Sequence, residues 1–111
     1  MKRFILVLLV AAGGIALLAP TSPGATTVAV SGKEFKFTLS PKSVKAGSVT
    51  FRFTNRGKIK HDFKIAGKKT KVIGPGKSAT LKVTLKKGSA AYLCTVPGHA
   101  ASGMKGKLTV R

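Results

Sequence analysis

From Thr27 onward, apolar and polar residues alternate with a period of two. Phe35, Phe37 and Leu39 alternate with Glu34, Lys36 and Thr38; Val49, Phe51 and Phe53 with Thr50, Arg52 and Thr54; Leu81, Val83 and Leu85 with Lys82, Thr84 and Lys86. Successive side chains on a strand point to opposite faces, so each run predicts a half-buried strand with its apolar face inward. Turn-forming clusters separate the runs: Ser40-Pro41, Ala46-Gly47, Asn55-Arg56-Gly57, Gly74-Pro75-Gly76 and Lys87-Gly88. Shorter strands are expected at 27–31, 61–66, 70–73, 89–94 and 104–110. About seven or eight short strands, with turns every ~8–12 residues, predict an all-β fold, a β-sandwich.

The first residues break this pattern. Lys2 and Arg3 precede an uncharged run of 16 residues, Phe4 to Ala19, which has the layout of an export signal. The run is slightly long for a signal and short for a bilayer span of ~20 residues. Small residues near Ser22, Gly24 and Ala25 offer a cleavage site, although Pro20 opposes a cut directly after Ala19. Residues 1–25 are therefore expected to be an export signal or an N-terminal membrane anchor, and 26–111 the folded domain. The expected location is extracytoplasmic: periplasm, cell envelope or secreted, and membrane-anchored if the segment is retained.

Charge adds a second constraint. The 111 residues hold 21 Lys+Arg against 2 Asp+Glu, a formal charge of +19; loss of Lys2 and Arg3 with the leader leaves +17. Alternation places many lysines on outer strand faces, where singly they are solvated surface. Summed, they make a field that attracts acidic proteins and anionic membrane or wall surfaces. At 43% hydrophobic the chain is no disordered basic tail. One cysteine excludes an intramolecular disulfide and a four-cysteine zinc site. A paired-carboxylate hydrolase would need both acids, Glu34 and Asp62, in one cleft.

The metal-capable side chains are few and clustered. Three of them lie within Tyr92-Leu93-Cys94-Thr95-Val96-Pro97-Gly98-His99-Ala100-Ala101-Ser102-Gly103-Met104, and His61 lies upstream. The loop with Pro97, Gly98 and Gly103 can curl so that Cys94, His99 and Met104 converge, with His61 closing the site from another strand. A thiolate, two imidazoles and a thioether suit copper, as a His₂Cys trigonal plane with a weak axial Met. Zinc would more readily take water or another nitrogen or sulfur ligand than a thioether. Singly, each residue reads as core or surface filler. Together, in this order and spacing, they read as one copper site.

These residues resemble the type 1 blue copper proteins, or cupredoxins, a family that includes plastocyanin, azurin, auracyanin and rusticyanin. The resemblance runs from Thr27 to Val110 and is most specific in Cys94-x₄-His99-x₄-Met104, with Pro97-Gly98 before the histidine and His61 upstream. The spacing is most similar to that of auracyanin and rusticyanin. The resemblance implies an antiparallel Greek-key sandwich, one copper per chain held by His61, Cys94, His99 and Met104, and electron transfer outside the cytoplasm. It also implies that the patch of Val96, Pro97, Ala100 and Ala101 around His99 is where partners dock. One position departs from the pattern: many relatives have Asn, or in some cases Ser, after the upstream histidine, and here it is Asp62. A carboxylate there can accept hydrogen bonds from the Thr95 hydroxyl or nearby backbone N–H groups and orient the ligand loop.

Three classes of function follow. The first is a one-electron carrier cycling between Cu(I) and Cu(II), a monomer meeting an acidic redox partner. The second is a copper protein for storage or delivery that uses the same ligands. The third, a basic module for nucleic acid, lacks an aromatic stacking array, since most of its six Phe and one Tyr occupy inward positions. Four protein ligands leave no open position for a substrate, so no enzyme is expected.

Overall fold

The computed structural model describes residues 26–111. The expected export segment, 1–25, lies outside the described residues. Among the described residues, nine strands form two packed sheets: β1 (Thr26–Lys33), β2 (Lys36–Ser40), β3 (Ser43–Val44), β4 (Gly47–Asn55), β5 (Lys64–Ile65), β6 (Lys68–Lys69), β7 (Ser78–Leu85), β8 (Gly88–Leu93) and β9 (Lys105–Val110). One sheet has the order β2-β1-β4-β7 and the other β3-β9-β8-β5-β6. The expected sandwich is present, with nine strands rather than seven or eight. Two of its seven pairings are parallel, β1 with β4 and β3 with β9. Between β1 and β4 the chain turns back through β2 and then visits the other sheet at β3, so it re-enters beside β1 in the same direction.

The period-two pattern sets the core. Val28 and Val30 of β1, Val49, Phe51 and Phe53 of β4, and Val83 and Leu85 of β7 point inward from one sheet. Val44, Phe63, Ile65, Leu108 and Val110 meet them from the other. Phe63 is the hub, its ring 5.3 Å from Phe37, 5.2 Å from Phe51 and 5.7 Å from Tyr92. A fully buried ring of this size contributes about 2–3 kcal/mol, and it anchors the segment that carries His61.

Two strand expectations change. The stretch 61–66 contracts to β5, and 70–73 is not a strand; its place is taken by β6. His61, Asp62 and Phe63 are all fully buried, which a strand with one solvated face cannot achieve at three consecutive positions. A tight turn at Ala66 (φ 51°) and Gly67 (φ 78°) then limits β5 and β6 to two residues each. Phe35 also departs from its inward assignment. It sits at the β1–β2 tip and is 37% exposed.

Candidate metal centre

Three chain segments meet at one end of the sandwich. The first leaves β4 at Asn55, a fully buried residue that organises its own loop. The Asn55 side-chain amide donates to the Ile59 and Ile73 carbonyls, both at 2.9 Å, and its oxygen accepts from the Gly57 N–H at 2.8 Å. The loop returns to His61, whose backbone exchanges hydrogen bonds with Ile73. With Phe63 locked into the core two residues later, the His61 ring has little freedom.

The second segment leaves β8 at Cys94 and returns at Met104. The Cys94 N–H donates to the Met104 carbonyl at 3.0 Å, and the Met104 N–H to the His99 carbonyl at 3.1 Å. Turns within the loop are closed by His99 N–H to Val96 and Gly103 N–H to Ala100. Gly98 (φ 84°) and Gly103 (φ 114°) lie in the left-handed region, where a side chain would be strained. The loop thus winds into a coil that holds Cys94, His99 and Met104 together, all of them buried.

Three donor atoms face a single point. His61 Nδ1 lies 3.1 Å from His99 Nδ1, and Cys94 Sγ lies 3.9 Å from the former and 3.5 Å from the latter. A point equidistant from all three lies about 2 Å from each, close to the length of a metal–imidazole bond. One thiol and two imidazoles in this triangle fit the trigonal copper arrangement, and Met104, fully buried, is joined to Cys94 and His99 through its backbone. Burial pushes the Cys94 thiol up from its ordinary range, the hydrogen bonds to it only partly offsetting this. Burial pulls His99 down, and His61 beside it adds to the effect. Both shifts favour uncharged donors in the apo protein, a thiol and a lone-pair imidazole.

Both acids of the chain flank this point. Asp62, fully buried, accepts from the Thr95 N–H at 2.6 Å and from the Thr95 hydroxyl, tying the His61 segment to the residue after Cys94. Glu34 comes from the third segment, the β1–β2 tip, and was not among the sequence-derived site residues. Its Oε1 meets His61 Nε2 at 2.6 Å, and its two oxygens accept from the Lys58 N–H at 3.1 and 2.9 Å. The His61 contact, followed by the Lys58 N–H, holds Glu34 below the usual carboxylate range. Its rarity was the one sequence signal: it is one of two acids in a chain of 21 basic residues.

One edge of the centre approaches solvent. His99 is 8% exposed, with Phe35 edge-on to its ring at 5.0 Å. Half-buried Val96 and Ala100 and exposed Pro97 and Ala101 lie on the same loop.

Comparison with known proteins gives the same picture. Residues 54–111, just over half of the chain, match the family of copper binding proteins described as plastocyanin/azurin. No curated protein matches the chain by sequence. Among solved structures, a dithionite-reduced auracyanin of the photosynthetic bacterium Roseiflexus castenholzii is 25% identical. It has a TM-score of 0.65 over 82% of this chain and 99% of that one. Auracyanin A, a "blue" copper protein of Chloroflexus aurantiacus, is 23% identical, with a TM-score of 0.65 over 79% of this chain and 100% of that one. Auracyanin B is 22% identical, with a TM-score of 0.67 over 83% and 93%. At those identities the latter two speak for the fold alone. By the match over its C-terminal half, the chain belongs to the plastocyanin/azurin family of copper binding proteins: its cofactor is copper, and it is not an enzyme.

Proposed function

We propose that the protein is an exported one-electron carrier with a single copper held by His61, Cys94, His99 and Met104. The observation that carries this reading is the triangle of Cys94 Sγ and the two Nδ1 atoms, buried and equidistant from one point. Bound there, copper supplies a Cu(I)/Cu(II) couple. The chain supplies the rest. Cys94 is the strongest donor and gives up its thiol proton when metal binds. His61 and His99 would add two imidazole donors, and the thioether of buried Met104 would serve as a fourth, weaker one. Asp62 and the core ring of Phe63 hold the ligand segments where they are, so the donor atoms would be fixed by the fold rather than by the metal. His99, with its edge nearest solvent, is the exit for the electron, and the Val96–Ala101 loop around it is the docking patch.

The remaining parts of the reading rest on the sequence. The basic and apolar start of the chain supports export, with residues 1–25 as signal or anchor and 26–111 as the copper domain. Among the described residues, no helix is long and apolar enough to cross a membrane. The charge of +17 on the domain supports a redox partner with an acidic surface. Carriage and delivery separate on retention. Through repeated chemical oxidation and reduction in the presence of a copper chelator, a carrier keeps its copper and its visible band. Loss of copper within the first few cycles contradicts carriage.

A further inference from the structure

We infer that Glu34 is the positioning residue for His61: its carboxylate takes the Nε2–H and leaves Nδ1 as a free donor aimed at Cys94 and His99. The inference deepens the copper reading and rests on His61 being a ligand. A neutral imidazole carries one N–H, and the nitrogen facing the better acceptor keeps it. A carboxylate is a strong acceptor, and here it sits 2.6 Å from Nε2. With the proton held there, the lone pair falls on Nδ1, 3.1 Å from its His99 counterpart.

The surroundings are arranged for this contact. The Lys58 N–H holds both carboxylate oxygens, so Glu34 is clamped rather than swinging from a turn. Gly57 leaves the space: a Cβ there would overlap Glu34 Oε1 and come within 3.0 Å of His61 Nε2. Glu34 lies in a domain rich in lysine, yet among the described residues the side chain its carboxylate meets is this imidazole. The next residue, Phe35, meets the other imidazole at 5.0 Å, so one hairpin tip steadies both rings. Such outer contacts typically change metal affinity by about 10–100-fold when removed.

The test uses the full chain labelled with ¹⁵N, first without copper, at about pH 9, above the ordinary imidazole range. The wild-type His61 ring is expected as the Nε2–H tautomer. Glu34→Gln, whose amide oxygen still accepts, keeps that tautomer. Glu34→Ala yields a mixture and weakens Cu(II) binding, measured against a competing chelator, by about 10–100-fold. Gly57→Ala displaces the carboxylate without removing it and behaves like Glu34→Ala. A wild-type ring in the Nδ1–H form overturns the inference even if no variant folds. Wild-type tautomer and affinity in Glu34→Ala also overturn it, as do equal changes in Glu34→Gln and Glu34→Ala. Failure of His61→Ala to alter copper binding would instead sink the ligand assignment, leaving the tautomer result readable on its own.

Discussion

The two acids of this chain both lie beside the ligand segments and are held in different ways. Asp62 is fully buried and spends its oxygens on the backbone and hydroxyl of Thr95, so it joins two chain segments. Glu34 is 27% exposed and reaches inward to a ring, so it orients one side chain. The difference shows that a rare residue type need not have one role. In a domain of net charge +17, each carboxylate is spent on geometry at the site rather than on neutralising lysines.

That contrast breaks most visibly at Asp62. Asp62→Ala leaves the Thr95 N–H and hydroxyl without their acceptor beside Cys94, and is expected to cost about 2–3 kcal/mol of apo stability in denaturant unfolding. Asp62→Asn sharpens the point. Its side-chain oxygen keeps the Thr95 N–H bond and its amide donates to the hydroxyl, so the fold should remain within about 1 kcal/mol of wild type. Because a negative charge nearby favours Cu(II) over Cu(I), the same variant should raise the reduction potential, read by redox titration. A stable Asp62→Ala would show that Asp62 does not join the segments. Glu34 lies on the other side of the comparison: its variants should alter the His61 tautomer and copper affinity through the ring itself.

A smaller effect lies in the pH dependence of the apo fold. Burial lowers His99 from its ordinary 6.5, so the unfolded chain takes up its proton first as pH falls. Stability is therefore whole above that range and declines as pH drops through it. Burial raises the Cys94 thiol above 9.0, so the unfolded chain ionises first on the alkaline side and stability declines there too. Unfolding midpoints measured across this range should trace a plateau with a shoulder at each end. Cys94→Ser should remove only the alkaline one.

The central strands were legible because β4 and β7 are long enough to display alternation, and Val49, Phe51 and Phe53 turn inward as their spacing demands. Cys94, His99 and Met104 were legible as a group because one short loop carries them. His61 could be joined to them only by analogy of order, since 33 residues separate it from Cys94. β3, β5 and β6, at two residues each, are too short to show any period. Glu34 and Phe35 were hidden for another reason. Alternation continued through them to β2, and nothing local reveals that the hairpin tip folds over both histidines, a contact made across 27 residues for Glu34. Parallel pairing of β1 with β4 was equally out of reach, because it depends on which sheet the chain visits between them.

In the proposed centre, Cys94 and the two histidines hold copper at one point. Titrating the folded protein, with its cysteine reduced, against Cu(II) while recording visible absorption tests this most directly. The expected result is an intense blue thiolate-to-copper band that saturates at one equivalent and is absent from a folded Cys94→Ser variant. No band in the folded, reduced wild-type protein, or a band undiminished in Cys94→Ser, would contradict it.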